Sequence, residues 1–304
     1  MNRVELVLDV RNATGESPVW QEAEQALYWA DIPYGVLHRW QAERSQHMRW
    51  KLPQMLACMA PYQGDARRWI AGLEDGLYEV TLDEGYGSAF VQPLAKVEHP
   101  VPDMRFNDGR CDRQGRFIAG TMVMDMAAAL PMGQVYRLGM PEQQTGQACN
   151  LQLGPLLTPN GLAFSPDGKT MYLSDSHPLS QTIWAFDYDT DTGTPSRRRV
   201  WVDMQPLPGR PDGAAMDVDG GYWICANDAG LVHRFTPDGK LDRSLSVPVK
   251  KPAMCAFGGR GLDTLFVTSI RPKGVDLTDQ PLAGGVFALR PGVQGLAETA
   301  FREG

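Results

Sequence analysis

The sequence lacks the features that mark several large classes of protein. Its five cysteines are odd in number and widely spaced, without a Cys-x-x-Cys pair, so neither a disulfide framework nor a thiolate zinc site is expected. No apolar run approaches the roughly 20 residues that cross a bilayer. Phosphate loops, nucleotide-binding glycine fingerprints and His-Glu-x-x-His sets are missing as well. We therefore expect reduced, buried thiols and, since the first residues are too polar for a signal peptide, a cytoplasmic location.

Basic residues are also fewer than acidic residues. The 304 residues carry 29 Lys and Arg against 36 Asp and Glu, a formal net charge of −7. A mildly acidic chain is a poor counter-ion for phosphate backbones and for anionic lipid. Neither nucleic acid nor a membrane surface is therefore expected as a partner, and the oligomeric state stays open.

Glycine, proline and aromatic residues are plentiful by contrast. The chain has 32 Gly, 23 Pro, 8 Trp, 9 Tyr and 10 Phe. Apolar residues alternate with a period of two, and the helical period is weak. This combination is typical of many short strands joined by tight turns. The one helix-like stretch, 122–130, is short.

One strand-like segment recurs along the chain. It is rich in β-branched and aromatic residues and follows an Asp/Gly turn, and its copies are 26–31, 68–72, 116–120, 171–175, 222–226 and 265–269. Repeats of about 40–55 residues made of strand–turn–strand units are typical of propeller blades. Six copies predict an all-β, six-bladed β-propeller, with residues 1–304 as a single domain. A β-sandwich predicts no internal repeat of this length.

Polar residues recur where loops lead into the predicted inner strands. In a propeller such junctions converge on the axis, so residues far apart in sequence can share one pocket. The junction residues are Glu16, then Arg105, Asn107 and Asp108, then Asn160, then Asp212. Arg105 and Asn107 stand two apart on an extended segment, which puts both on one face and Phe106 on the other, in the blade packing.

Five motifs, in this order, resemble the SMP-30/gluconolactonase/regucalcin family from about residue 12 to about residue 290. They are Glu-Ser-Pro-Val-Trp at 16–20, Arg-Phe-Asn-Asp-Gly at 105–109 with Gly-Arg-Phe-Ile-Ala-Gly-Thr-Met at 115–122, Pro-Asn-Gly-Leu-Ala-Phe-Ser-Pro-Asp-Gly at 159–168, Pro-Asp-Gly at 211–213, and Cys-Ala-Phe-Gly-Gly at 255–259 with Phe-Val-Thr-Ser at 266–269. Members of that family are six-bladed propellers with one divalent metal ion at the axis, and many hydrolyse sugar lactones.

The resemblance implies a role for individual residues of this chain. The implied metal ligands are Glu16, Asn160 and Asp212, and the implied substrate contacts are Arg105, Asn107 and Asp125. Asp125 stands where family members carry an acidic substrate-contacting residue, often glutamate. The cofactor implied is a single divalent ion, and the partner is a small sugar lactone.

The chemistry of the implied ligands agrees with this expectation. Two carboxylates and one amide supply oxygen donors, which suit Ca²⁺, Mg²⁺ or Mn²⁺ and suit Zn²⁺ less well. Lactone hydrolysis needs a polarised carbonyl and a nucleophilic water, and one metal ion can provide both. Asp212 is the candidate general base, because a ligand carboxylate touches both metal and water, provided that only one of its oxygens binds the ion. Arg105 and Asn107 would orient ring hydroxyls or a carboxylate.

Three other features have simpler interpretations. Ser17 does not lie in a Gly-x-Ser-x-Gly elbow, since Val19 replaces the last glycine, so a serine hydrolase is not expected. Segment 187–193 resembles the opening of a calcium loop, but Arg198 stands where a bidentate glutamate is required, and a hairpin turn is expected instead. His177 follows a strand and either lines the pocket mouth or has no role.

The sequence thus predicts a metal-dependent lactonase that opens an aldono- or aldarolactone to the free sugar acid. Two alternatives stay open. One is hydrolysis of another ester-like substrate, such as an organophosphate, at the same site. The other is a non-enzymatic propeller that binds calcium or acts as a scaffold, and the presence of Arg105 and Asn107 counts against a pure scaffold.

Overall fold

Six four-stranded antiparallel sheets surround a central axis, as the sequence repeat predicts. The computed structural model describes residues 4–85, 87–139 and 146–303. The strands in chain order are β1 Glu5–Leu8, β2 Gly15–Gln21, β3 Ala26–Asp31, β4 Val36–Gln41, β5 Gln46–Lys51, β6 Cys58–Tyr62, β7 Asp65–Gly72, β8 Gly76–Asp83, β9 Ser88–Lys96, β10 Met104–Cys111, β11 Phe117–Val123, β12 Val135–Leu138, β13 Cys149–Asn150, β14 Pro159–Phe164, β15 Thr170–Asp175, β16 Thr182–Asp189, β17 Thr194–Asp203, β18 Arg210–Met216, β19 Tyr222–Asn227, β20 Leu231–Phe235, β21 Leu241–Ser246, β22 Pro252–Gly258, β23 Thr264–Ser269 and β24 Val286–Leu289. This is the six-bladed β-propeller predicted from the repeat.

The N-terminal strand closes the ring. Blades 1 to 5 consist of β2–β5, β6–β9, β10–β13, β14–β17 and β18–β21. Blade 6 takes β22, β23 and β24 from the end of the chain, and its outermost strand is β1. Leu6 lies opposite Phe287 in this antiparallel pair. The first and last blades are therefore joined by backbone hydrogen bonds.

The proportion of apolar residues in a strand depends on the position of that strand within the blade. The recurring segment found in the sequence forms the second strand of every blade, and the copies Ala26–Asp31 and Tyr222–Asn227 are buried at every position. These strands read as apolar runs because a neighbouring blade packs on each face. The outer strand Thr194–Asp203, with three consecutive arginines, is exposed at most positions. The apolar core is accordingly divided into six wedges, one between each pair of adjacent blades.

Segment 187–193 is a hairpin turn, as predicted. β16 ends at Asp189 and β17 begins at Thr194. The four backbone carbonyls of residues 190–193 accept hydrogen bonds from the guanidinium groups of Arg116 and Arg137 at 2.6–3.1 Å. Arg116 and Arg137 therefore donate hydrogen bonds to the carbonyl oxygen atoms that a calcium loop would turn toward an ion.

Residues 290–303 cross the end of the channel where the inner strands finish. The backbone of this segment bonds to blade 5 through Leu296, to blade 2 through Phe301 and to blade 3 through Arg302. Glu298 lies 3.4 Å from Nη1 of the buried Arg110 on β10. This C-terminal strap is thus on the side opposite the loop-to-strand junctions.

Two smaller expectations meet different outcomes. The stretch 122–130 is not an α-helix, since Met122 and Val123 end β11 and only Met126–Ala128 form a 3₁₀ turn. Pairing of Val123 with Met104 on the inner strand extends the blade into the predicted helix.

The thiols are all free, and four of the five are buried, as expected. Within the described residues, none of the helices has the length and apolar character to span a membrane.

Candidate functional site at the start of the inner strands

A β-bulge interrupts five inner strands near their first residues. The breaks in register fall between Glu16 and Val19, Phe106 and Gly109, Asn160 and Ala163, Pro211 and Ala214, and Pro252 and Cys255. A bulge leaves residues unpaired and turns their side chains away from the regular alternation. In blades 1, 3, 4 and 5 the bulge coincides with the predicted site residues, which explains how these junctions aim polar groups at the axis.

Asp212 and Asn160 meet at the axis although 52 residues separate them. Nδ2 of Asn160 donates to Oδ1 of Asp212 at 2.6 Å. Both side chains are buried. The left-handed φ of +58° at Gly161 lets the chain turn directly after Asn160, where a Cβ would lie 2.5 Å from the Tyr222 hydroxyl. The glycine of this Asn-Gly pair is therefore required by both conformation and space.

Glu16 completes a cluster of negative charge with Asp212. Its Oε2 accepts the backbone N–H of Ser17 at 3.1 Å. Burial, then the charges of Asp212 and Asp108, raises the pKa of Glu16 well above its usual range. Burial also raises the pKa of Asp212 to about 6, against the opposing effects of the Arg210 charge and an amide hydrogen bond. Burial therefore outweighs the opposing charges of Arg105 on Glu16 and of Arg210 on Asp212.

Arg105 and Asn107 lie together on one face of β10. Nη1 of Arg105 donates to Oδ1 of Asn107 at 3.0 Å, and Nδ2 of Asn107 donates to the carbonyl of Pro159 at 3.0 Å. Phe106 faces the other way and is buried in the wedge between blades 2 and 3. The expected alternation therefore holds, and Asn107 also ties blade 3 to the residue that precedes Asn160.

Asp108 turns between blades 3 and 4 and not toward Asn107. Its Oδ2 accepts the backbone N–H of Leu162 at 2.8 Å. Its Oδ1 is buried without a hydrogen-bond partner among the described residues. Burial raises the pKa of Asp108, and the nearby Arg110 charge opposes that effect. Asp108 thus adds negative charge close to Glu16 and Asp212.

Ser17 has a structural role. Its hydroxyl accepts the backbone N–H of Met59 at 2.9 Å, across the boundary between blades 1 and 2. Its φ of +50° places it in the left-handed region within the bulge that follows Glu16. The hydroxyl is therefore engaged with the neighbouring blade.

Asp125 and His177 lie at the edge of the site. Both line a crevice together with Thr158, two residues before Asn160. Asp125 is exposed and its Oδ1 accepts the backbone N–H of Ala127 at 3.0 Å. His177 is buried, with Nε2 2.9 Å from the carbonyl of Met126 and Nδ1 accepting the N–H of Leu179. Its imidazole therefore connects the loop of blade 4 to the loop that carries Asp125.

Sequence reasoning missed Asn227, the last residue of β19. Its Nδ2 donates to Oδ2 of Asp212 at 2.5 Å. A signal was present, because β3 and β15 end in the same way with Asp31 and Asp175. Those two carboxylates accept backbone N–H groups of the loops that lead to Glu16 and Asn160. The end of the second strand thus supports the start of the first strand in three blades.

The donor set fits a divalent cation. Glu16, Asn160 and Asp212 offer carboxylate and amide oxygens, the donors of hard cations. The described part of the chain contains no group of three or more His, Cys, Asp or Glu side chains arranged to hold a metal, and this trio has only two such residues. Two buried carboxylates with raised pKa values nevertheless make a place where a cation would offset unfavourable charge.

Comparison with known proteins places these features in context. The family model of the SMP-30/Gluconolactonase/LRE-like region matches residues 14–271. A 6-deoxy-6-sulfogluconolactonase of Pseudomonas putida is 37% identical over 290 residues, which cover 94% of each chain. An L-arabinolactonase of Azospirillum brasilense is 36% identical over 300 residues, covering 97% of this chain and 94% of that protein.

Solved structures with the same fold include a calcium-binding protein, regucalcin, from Agrobacterium tumefaciens. It superimposes with a TM-score of 0.87 at 26% identity, over 99% of this chain and 98% of that one. The similarity therefore extends over all six blades.

Proposed function

This chain belongs to the SMP-30/gluconolactonase/LRE-like family, and we propose that it hydrolyses a sugar lactone, an aldono- or aldarolactone, to the free sugar acid with one divalent cation. The observation that carries the proposal is the convergence of Glu16, Asn160 and Asp212 at the starts of three inner strands. Two relatives named as sugar lactonases support the substrate class.

Glu16, Asn160 and Asp212 would hold the cation through oxygen atoms. Ca²⁺, Mg²⁺ and Mn²⁺ match these donors best, and Zn²⁺ matches them less well. A divalent ion bound there would supply Lewis acidity toward a carbonyl oxygen and toward water. The calcium-binding description of the regucalcin structure is in keeping with a divalent ion.

The remaining steps belong to the side chains of this protein. Arg105 presents a planar set of N–H donors at the face of β10 and orients the lactone through its hydroxyl or carboxylate oxygens. Asp212 accepts the proton of the attacking water, since its carboxylate lies in the middle of the site. Asn107 keeps Arg105 in place through its Oδ1. Asp125, on the rim, contacts the far end of the substrate.

A panel of sugar lactones, assayed with a pH indicator, tests this function. The protein is stripped of metal with a chelator and then reloaded with Ca²⁺, Mg²⁺, Mn²⁺ or Zn²⁺. We expect hydrolysis of at least one lactone to disappear on stripping and to return on reloading. Asp212→Ala should remove most of the bound ion and the activity, because one of two ligand carboxylates is lost. Full activity of the stripped protein would refute the proposed role of the ion.

A binding protein is the second candidate, because one similar structure is described as a calcium-binding protein. The same panel separates the two. A protein that binds Ca²⁺ but opens no sugar lactone and no other ester in the panel would be a binding propeller. Arg105 favours the enzyme, since a guanidinium group beside the site has no use in holding a cation.

A further inference from the structure

The amide of Asn227 contacts one of the two carboxylate oxygens of Asp212. Asn227 is 1% exposed and lies directly opposite Arg210 in the β18–β19 pair. Its Nδ2 donates to Oδ2 of Asp212 at 2.5 Å, whereas Oδ1 of Asp212 faces Asn160. Each carboxylate oxygen of Asp212 therefore has one amide group as its neighbour.

Asn227 and Asn160 differ in what holds the other end of their amides. Oδ1 of Asn227 faces Nη2 of Arg210 at 3.4 Å. A reversed Asn227 amide would place its NH₂ group against this guanidinium, so the charge fixes its orientation. Among the residues that the structure describes, Oδ1 of Asn160 accepts only the neutral backbone N–H of Gly161, at 3.3 Å. The Asn160 amide can therefore turn its oxygen toward a cation without facing a positive charge.

Arg210 is itself fixed. Its Nε donates to Oδ2 of Asp228 at 2.7 Å, and its Nη1 donates to the carbonyl of Ser176 at 2.9 Å. Arg210, Asn227 and Asp212 thus form a chain of hydrogen bonds from the rim of the site to its centre. Each member holds the next one in a single orientation.

We propose that Asn227 is a positioning residue that occupies Oδ2 of Asp212 and leaves Oδ1 as the oxygen available to a cation. This inference rests on the proposed function and extends it. With Oδ2 held by Asn227, the Asp212 carboxylate would bind the ion through Oδ1 alone. Binding through a single oxygen is the condition under which Asp212 can serve as both metal ligand and general base. It also separates the roles of two buried asparagines that contact the same carboxylate.

Titration calorimetry with Ca²⁺ or Mn²⁺ alone on the metal-free full-length protein tests the inference. Groups that orient a ligand commonly contribute about 10–100-fold to metal affinity or activity. We expect Asn227→Ala to weaken cation binding by about that factor. Asn227→Gln keeps the amide but moves it by one methylene group, and should also weaken binding if position is what matters. The kcat and KM for a lactone are measured on the same samples.

Gln41→Ala is the control. Gln41 is a buried amide residue on β4 whose Nε2 donates to the Glu24 carbonyl at 3.1 Å, and it lies opposite Ala26, at the end of blade 1 remote from Glu16. It should lower the unfolding midpoint without changing cation affinity. If both Asn227 variants bind the cation and turn over lactone like the parent, and lose only stability as Gln41→Ala does, the positioning role is wrong. If the parent itself binds no divalent cation, the proposed function fails first.

Discussion

Polar side chains at the axis are held by other polar side chains. Both ends of the Asn107 amide are engaged, by Arg105 on one side and by the Pro159 carbonyl on the other. The Asp212 carboxylate is bonded at both oxygens by amides. Buried polar groups stabilise a structure only when they are paired, so removing one partner affects the next. The site should therefore respond to single substitutions in ways that depend on which contact is lost.

Arg105→Ala should reduce kcat/KM for a sugar lactone while leaving cation affinity nearly intact. The guanidinium group is a substrate donor in the proposed function and cannot serve as a ligand for a cation. The expected loss is about tenfold for each 1.4 kcal/mol of transition-state contact removed. Cation titration and lactone kinetics on the same variant provide the measurement.

Arg199→Ala is the control for Arg105→Ala, because Arg199 lies on an outer strand and pairs with Asp187 at 2.8 Å. Both measured quantities should stay at the parent value. If Arg105→Ala instead loses the cation and keeps its turnover per bound ion, Arg105 serves the ion site and not the substrate.

The buried His38, which contacts the exposed His47, should make the protein sensitive to acid. Nδ1 of His38 lies 2.9 Å from Nε2 of His47, and both rings stack near Trp29. Burial, then the neighbouring His47 and Arg49, lowers the pKa of His38 to about 3. The unfolded chain takes up this proton near pH 6.5, so the free energy of unfolding should fall as the pH drops below that value, by at most about 1.4 kcal/mol per pH unit.

Urea unfolding of the parent and of His38→Gln at several pH values measures this effect. The buried carboxyls with raised pKa values change stability in the opposite direction, so the difference between the two proteins isolates the histidine. The parent should lose more stability than the variant between about pH 6.5 and pH 5. Parallel pH profiles would show that His38 is charged in the folded protein.

The loops between the second and third strands form the rim of the site. The loop after β11 carries Asp125 and a single 3₁₀ turn, Met126–Ala128. A turn of three residues has little stability of its own, so its position depends on contacts with other loops. The contact from His177 of blade 4 to the carbonyl of Met126 is one such connection.

His177→Ala should raise KM for a lactone more than it lowers kcat, because it releases the rim and leaves the axis unchanged. His177→Gln can place an N–H donor where Nε2 stood and should restore most of the parent KM. Steady-state kinetics on both variants, with a cation titration to confirm the ion site, provides the measurement. If KM is unaffected in both variants, the rim loop does not contribute to substrate binding.

At the scale of the whole molecule, strand β1 closes the ring of blades and the C-terminal strap crosses the end of the channel opposite the candidate site. Phe301 of the C-terminal strap is fully buried and packs edge-on against Tyr62, with ring centroids 5.0 Å apart. Phe301→Ala should lower the free energy of unfolding by about 3–5 kcal/mol, the usual effect of emptying a buried aromatic site.

Phe90→Ala is the matched control for Phe301→Ala, since the Phe90 side chain is 65% exposed. It should change stability by less than about 0.5 kcal/mol. Denaturant unfolding of the three proteins gives the comparison. Equal midpoints for Phe301→Ala and the parent would show that the strap is detached from blades 2 and 3 in solution.

Cooperative unfolding is the test of the single-domain prediction for residues 1–304. Each wedge of core is shared by two blades, and β1 bonds the last blade to the chain start. We therefore expect one transition in calorimetry, with equal calorimetric and van't Hoff enthalpies. Two separate transitions would divide the propeller into independent units.

The sequence alone was enough for the blade count, and its motifs proposed the residues that the structure brings toward the axis. Second strands such as Tyr222–Asn227 are apolar because both faces are covered, and this local pattern repeats often enough to be counted. Glu16, Asn160 and Asp212 were visible because each is the second or third residue of an inner strand, within a distinct motif. Local patterns determine local structure, and in a propeller the repeat then determines where the loops converge.

Only the tertiary structure decided which distant residues touch. The polar residues that end β3 and β15 suggest a supporting role for Asn227, but they do not show that its amide meets Asp212, since this contact depends on a bulge in the neighbouring strand that turns Asp212 inward. The His177–Met126 contact and the strap through Phe301 also join segments separated by tens to hundreds of residues. Such contacts are set by how six blades pack around one axis, and the spacing of apolar residues in the sequence does not specify that packing.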